Sequence, residues 1–159
     1  MGKFEWLLFL HVTGAFLFLG GSVVAGVLNI AALRRERPSE IVVLLKLIGR
    51  AVVALGIGFF FVVIFGLWLV HVAGYRYGDG WVIGSLALFI FSNALGGIGG
   101  SRDKATRKLA EQLADSGDQP SAELRARLRD PVSLALGYGA GLSAFAVLIL
   151  MIWKPGAGA

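Results

Sequence analysis

Residues 51–73 read AVVALGIGFFFVVIFGLWLVHVA, and His71 is the only ionisable side chain among them. A helix that crosses the hydrocarbon core of a bilayer needs about 20 consecutive, mostly apolar residues. Three further stretches meet that requirement, at about residues 4–33, 81–98 and 132–153. The sequence therefore predicts an all-α integral membrane protein, an antiparallel bundle of four transmembrane helices that forms a single membrane domain over residues 1–159.

The composition supports this class and excludes others. Hydrophobic residues make up 57% of the chain and charged residues 16%, against roughly 45–50% and 25% in soluble domains. A soluble fold of this length has too little polar surface to cover so much apolar surface. The absence of cysteine excludes disulfides and thiolate metal sites. The basic residues lie between apolar segments, so we expect no nucleic-acid partner.

The charge distribution predicts how the bundle is oriented. Twelve of the fifteen lysines and arginines lie at one set of helix ends and loops, and only Lys3, Arg76 and Lys154 lie at the other. Because loops rich in lysine and arginine stay in the cytoplasm, both termini and the loop at residues 75–80 are expected outside, an N-out and C-out topology. The predicted location is the inner membrane of a bacterial cell, crossed several times.

The polar residues 101–131 are predicted to form a short cytoplasmic helical hairpin between the third and fourth spans, with a break at residues 116–120. Asp130, followed by proline, is typical of the residue that caps the next helix. Pro38 and Ser39 likewise predict that the second helix begins near Ser39, with Ser39 as its cap. We expect the hairpin to be loosely packed, either a solvated connector on anionic lipid or a docking surface.

Two histidines lie at matching depths in adjacent spans. His11 lies about two turns into the first span, and His71 lies about one turn before the end of the second. Since the two helices are antiparallel, both imidazoles are expected roughly 5–10 Å inside the outer boundary. An ionisable residue inside a membrane is a functional candidate, and facing histidines on two helices are one way to hold haem iron. His11 and His71 are therefore the candidate metal ligands, as axial ligands of haem b.

Small and charged residues near the histidines fit a large, flat, apolar cofactor. Gly14, one turn below His11, would leave room for a macrocycle, and Arg76, just beyond the outer boundary, would pair with a haem propionate. The predicted cofactor-binding residues are thus His11, His71, Gly14 and Arg76. Aromatic side chains that can line the walls are Phe16, Phe18, Trp68, Phe89 and Phe91.

The same residues also have an interpretation without a cofactor. His71 is close enough to the boundary to belong to the interfacial belt of polar aromatic residues. His11 can simply bond a carbonyl on a neighbouring helix, and glycines are common in membrane helices because they let helices approach closely. Packing and interface roles therefore stand as the alternative to ligation.

The chain resembles a group of small bacterial four-span proteins in one run, Leu10-His11-Val12-Thr13-Gly14-Ala15 followed by Gly20-Gly21. It is most similar to an uncharacterised predicted integral membrane protein family, and it distantly resembles the copper-resistance protein D membrane domain and the J-type protoporphyrinogen oxidase. That oxidase family binds haem b and has a histidine early in its first span, so the resemblance implies an axial ligand role for His11 alone. The oxidase family also has a functional lysine after a tryptophan in the third span. Residues 81–86, WVIGSL, contain none, which argues against that oxidation here.

The predicted function is that of a membrane haem b protein near the outer face, used in electron transfer or redox sensing. If only His11 binds the iron, the open position would permit catalysis, although no nucleophile with a base and no paired carboxylates indicate an enzyme. The alternatives are a non-catalytic scaffold or accessory subunit and a small metal or solute transporter. The expected partners are the lipid bilayer, a second copy of the chain and a membrane redox partner.

Overall fold

The computed structural model describes residues 2–156, and this part of the chain contains helices and no strand. In chain order the helices are α1 Lys3–Leu33, α2 Pro38–Val72, α3 Gly80–Asp115, α4 Ala122–Leu128 and α5 Pro131–Trp153. Four helical segments, which contain α1, α2, α3 and α5, are long and apolar enough to cross a membrane. The predicted four-helix membrane bundle is thereby confirmed.

Large apolar side chains cover the outside of this bundle. Phe16, Leu142 and Trp153 are each exposed over about three quarters of their surface, at 76%, 73% and 75%. An exterior of this kind is stable in lipid, where hydrocarbon tails surround the apolar side chains and the helices satisfy their own backbone groups. The protein is therefore a multi-pass membrane protein in contact with the lipid bilayer.

The most extensive helix contact joins α1 to α2, and glycine makes it possible. A Cβ on Gly58 of α2 would lie 2.7 Å from the Gly14 carbonyl oxygen and 2.7 Å from the Phe18 backbone nitrogen of α1. A Cβ on Gly14 would lie 2.5 Å from the Cβ of Phe61. Small residues at such positions let two helix backbones approach closely, so α1 and α2 form one tightly joined pair.

The second pair consists of α3 and α5, and Ser92 of α3 donates a hydrogen bond of 2.7 Å to the Ala140 carbonyl oxygen of α5. Three phenylalanines join the two pairs in the middle of the bundle. The ring of Phe89 lies 4.7 Å from that of Phe18 and is stacked at 5.2 Å on that of Phe59, measured between centroids. Contacts between α1 and α5 are sparse, and the bundle is less completely filled at the end where α1 begins and α5 ends, since a cavity lies there.

The opposite end carries a compact polar structure, which is termed the basic cap and comprises residues 36–50 with the start of α2, residues 101–121 with the end of α3, and all of α4. Leu124 of α4 is 1% exposed and Ala110 of α3 is 0% exposed, and both pack against α2. The α2 side chains of this core are Ile41, Val42, Leu45 and Ile48. The expectation of a loosely packed hairpin was therefore wrong, because leucines of α4 complete a core that begins on α2. Its first arm is also no separate helix, since residues 101–115 continue α3 without a break.

Hydrogen bonds and ion pairs join the segments of the basic cap. The backbone nitrogen and hydroxyl of Ser39 donate to the two carboxylate oxygens of Asp118, at 2.8 and 2.7 Å. These two donors lower the pKa of the Asp118 carboxyl, so this contact is intact at neutral pH and weakens only as the pH falls through that lowered pKa. Arg125 of α4 pairs with Glu36 at 3.1 Å. The start of α2 is thus bonded to the loop after α3 through Ser39, and the residues just before α2 are bonded to α4 through Glu36.

The helix starts agree with the sequence in one case and differ in the other. Asp130 caps α5 as predicted, since its side chain accepts a hydrogen bond of 2.9 Å from the Ser133 backbone nitrogen. The second helix begins early, as expected, but Arg37 is its N-cap residue and Pro38 is its first residue. Ser39 was therefore wrongly predicted as the cap, because its hydroxyl bonds Asp118 instead.

The orientation can be tested directly because the chain has no cysteine. In right-side-out vesicles, a cysteine introduced as Gly78→Cys should react with a membrane-impermeant maleimide. The variant Ser116→Cys, in the basic cap, should react only after detergent is added, because positively charged loops stay in the cytoplasm. The reverse labelling pattern would show that the basic cap faces outward.

The glycine contact between α1 and α2 predicts an unequal response to alanine. Gly58→Ala should destabilise the bundle by about 1–3 kcal/mol, the usual cost of overpacking a close-packed core, because the new methyl group would meet backbone atoms. Gly20→Ala is the matched control, since a Cβ on Gly20 would have no neighbour within 4 Å. Thermal unfolding in detergent measures both, and equal midpoints would contradict the proposed role of Gly58.

Candidate functional site

A cavity of about 420 Å³ lies at the less filled end of the bundle, surrounded by α1, α2, α3 and α5. Its floor is formed by Phe18, Val62 and Phe89, which belong to the central core of the bundle. Tyr75 and Lys154 lie on its lining near the helix ends. Mostly apolar cavities of this size with a few polar groups are typical of sites for small molecules.

His11 is the histidine in the wall of this cavity. Its ring occupies the space that Gly66 leaves on α2, where a Cβ would lie 2.8 Å from Cε1 and 2.9 Å from Nδ1. Nδ1 lies 3.1 Å from the carbonyl oxygen of Val62. Because a carbonyl oxygen only accepts, Nδ1 of the neutral ring carries the proton and donates, and Nε2 keeps a free lone pair. The fold therefore holds His11 in one tautomer.

Gly66 explains how a helical carbonyl accepts this second hydrogen bond. Val62 lies four residues before Gly66, so its carbonyl oxygen points toward the turn that contains Gly66. A side chain on that turn would cover the oxygen, and glycine leaves it accessible to His11. The four-residue spacing of Val62 and Gly66 is therefore required for the hydrogen bond of His11.

His71 lies elsewhere. Its side chain is exposed and does not belong to the cavity lining. It follows Val62 by nine residues, about two and a half turns, so it projects from α2 roughly half a revolution away from the carbonyl that bonds His11. The structure does not bring the two histidines to one site, and His71 lies next to the last residue of α2.

The other predicted site residues also lie outside the cavity lining. Arg76 is exposed in the turn between α2 and α3, where its backbone nitrogen donates to Asp79 at 3.2 Å. Gly14 is buried in the contact with Gly58 and leaves no open space there. Of the aromatic residues predicted for the walls, Phe18 and Phe89 line the cavity. The remaining three are exposed on the outer surface, namely Phe16, Trp68 and Phe91.

Three polar side chains of the lining were not predicted as site residues. Trp81 and Ser85 of α3 are 4% and 1% exposed, and neither the indole nitrogen nor the hydroxyl has a hydrogen-bond partner within residues 2–156. Lys154 lies with its Nζ 3.4 Å from the Tyr75 hydroxyl and 5.6 Å from the centroid of the Trp81 ring. The four-residue spacing of Trp81 and Ser85 places both on one face of α3, and this was the sequence signal that could have identified them.

The protein groups around the cavity do not form a metal site by themselves. Within the described part of the chain, no three His, Cys, Asp or Glu side chains come together in a way that would hold a metal ion. His11 therefore offers one nitrogen ligand. A metal that is already bound within a larger organic molecule needs no more than that from the protein.

Fold and cavity together define an integral membrane protein with a ligand-sized site at one end of a four-helix bundle. The chain belongs to the family described as "Predicted integral membrane protein (DUF2269)", which it matches over residues 5–155. This confirms the similarity to an uncharacterised membrane protein family that the first-span motif indicated. Neither the curated proteins nor the solved structures contain a match to the chain.

The contact between His11 and Gly66 predicts a defined and perturbable tautomer. In ¹⁵N NMR spectra of the labelled protein, His11 should show a protonated Nδ1 and an unprotonated Nε2, and His71→Gln assigns the signals. Gly66→Ala should abolish this pattern because its methyl group would displace the ring. Gly56→Ala, on the same helix with nothing within 4 Å of its new Cβ, should leave it unchanged. An Nε2-protonated His11 in the unaltered protein would contradict the geometry.

Proposed function

We propose that the protein binds haem b in the cavity, with Nε2 of His11 as an axial ligand of the iron. The supporting observation is the hydrogen bond between Nδ1 of His11 and the Val62 carbonyl oxygen. Histidines that bind metals almost always donate their other ring N–H to a carbonyl or carboxylate, which sets the tautomer and the ring orientation. His11 has this arrangement in the structure.

The rest of the cavity is chemically suited to a porphyrin. Aliphatic and aromatic side chains dominate its lining, and a flat macrocycle presents mainly apolar surface to such walls. The porphyrin itself supplies four nitrogen ligands to the iron, so the protein needs to supply only one imidazole. This requirement agrees with a site that offers His11 alone.

One histidine ligand, rather than the two expected from the sequence, leaves the iron able to bind a small molecule. Because His71 lies outside the cavity lining, His11 is the histidine that would hold the iron. A haem held in this way would supply redox sensing or ligand-coupled redox chemistry near the outer face, and electron transfer would need a redox partner in or at the membrane. Haem ligation by both His11 and His71 would require α2 to rotate relative to α1.

Absorption spectra of the purified protein, oxidised and reduced, test this proposal. Protein produced with added haem should show a Soret band, and His11→Ala should weaken haem binding by at least about a hundredfold, the upper range for losing even an outer-shell partner of a ligand. His71→Ala is the matched control and should keep the band. Free imidazole should restore the spectrum of His11→Ala, since it can enter the vacated space.

Two results would contradict the proposal. A protein that shows no Soret band with haem supplied during production would not be a haem protein. Equal losses in His11→Ala and His71→Ala would show that both histidines bind the iron, and would replace ligation by one histidine with ligation by two.

A further inference from the structure

Two buried polar groups in the cavity wall lack partners, and they stand out from the other hydroxyls of the same helix. Ser92 donates to the Ala140 carbonyl oxygen at 2.7 Å, and Thr106 donates to that of Arg102 at 3.1 Å. Ser85 and Trp81 have no such bond within residues 2–156. A buried donor without an acceptor costs free energy. Both residues line the cavity, so an acceptor bound there can reach them.

Lys154 adds a positive charge to the same region. It ends α5, and its Nζ lies 4.9 Å from the centroid of the Tyr75 ring and 5.6 Å from that of the Trp81 ring. The Tyr75 hydroxyl takes one of its three donors. No carboxylate of the described residues lies within ion-pair distance of it. An ammonium group beside an apolar cavity is therefore available to an anion.

These groups lie close to the depth of His11. Trp81 and Val82 of α3 pack with Val70 of α2, and Phe89 packs with Val62. Helices α2 and α3 run antiparallel, and Ser85 lies between Val82 and Phe89 on α3. Ser85 is therefore level with the part of α2 between Val62 and Val70. That part of α2 contains Gly66, against which the His11 ring is packed. The unpartnered donors and His11 thus belong to one cavity at similar depth.

We propose that Trp81, Ser85 and Lys154 form a carboxylate-binding subsite for the acidic group of an otherwise apolar ligand. All three side chains present donors, and one of them is charged, so the group they recognise is an acceptor with negative charge. A carboxylate has two such oxygens, and hydrogen bonds in which both partners are ionised are the strongest that proteins make. The apolar lining of the cavity accommodates the rest of the molecule.

Haem and a long-chain fatty acid are two apolar ligands with a suitable acidic group. Haem would offer a propionate to the subsite, and the fatty acid would offer its carboxylate. For haem the inference rests on the proposed function, whereas for a fatty acid it does not. In both cases the subsite predicts that the free acid binds more tightly than its uncharged ester. The expected preference is about tenfold or more, as for hydrogen bonds to charged groups in general.

The experiment compares acids with esters on the purified full-length protein in detergent at neutral pH. Haem and haem dimethyl ester are titrated by absorbance, and cis-parinaric acid and its methyl ester by fluorescence. The unaltered protein should prefer the acid in at least one series, and Lys154→Met and Ser85→Ala should each reduce the preference severalfold. Trp81→Phe keeps an aromatic ring at the position but removes the N–H, and should act in the same direction.

Matched controls separate the subsite from general effects of charge and polarity. Lys3→Met removes a lysine at the same end of the bundle, one that lies 5.2 Å from the centroid of the exposed Trp68 ring and outside the cavity lining. Ser92→Ala removes a hydroxyl of α3 that already has a partner. Both variants should keep the acid preference of the unaltered protein.

The outcomes distinguish this subsite from the proposed haem ligation. If haem and its ester bind equally through His11, and parinaric acid shows no preference, haem ligation stands and the subsite is wrong. If parinaric acid is preferred and haem does not bind, the subsite stands and haem ligation is wrong. An acid preference that survives Lys154→Met, Ser85→Ala and Trp81→Phe would also overturn the subsite.

Discussion

The backbone contact between Gly14 and Gly58 sets the spacing on which the rest of the bundle depends. It brings α1 so close to α2 that the His11 ring reaches the Val62 carbonyl over Gly66. By comparison, contacts between α1 and α5 are sparse. The tightly packed pair α1 and α2 thus forms one side of the cavity, and α3 and α5 form the other.

The helices were predictable because each depends on neighbouring residues alone. Hydropathy located the four spans, and Asp130 before a proline marked the start of α5. The basic cap was not predictable in the same way. Its core joins Leu124 to Ile41, residues far apart in the sequence, and neither position reveals its partner. A charged segment with an occasional leucine is typical both of a solvated connector and of a packed helix, and only the tertiary contact distinguishes them.

Position along a helix was also easier to predict than direction around it. His11 and His71 were placed at similar depths by counting residues, but the rotation of α2 depends on glycines that face α1. That rotation turns His71 outward and Val62 inward. Trp81 and Ser85 were overlooked for a related reason, since an apolar helix accommodates a tryptophan or a serine on any face. Their lack of a hydrogen-bond partner is visible only once the neighbouring helices are in place.

The continuity of α3 from the membrane into the basic cap has a practical consequence for imaging. A helix of 36 residues is about 54 Å long, whereas the hydrocarbon core measures about 30 Å, so a substantial part of it stands clear of the lipid. A chain of 16.9 kDa is too small to align by itself in electron micrographs. A rigid fusion partner joined at the end of α3, where α2 and α4 brace the helix, would move with the transmembrane part and provide the missing mass for particle alignment.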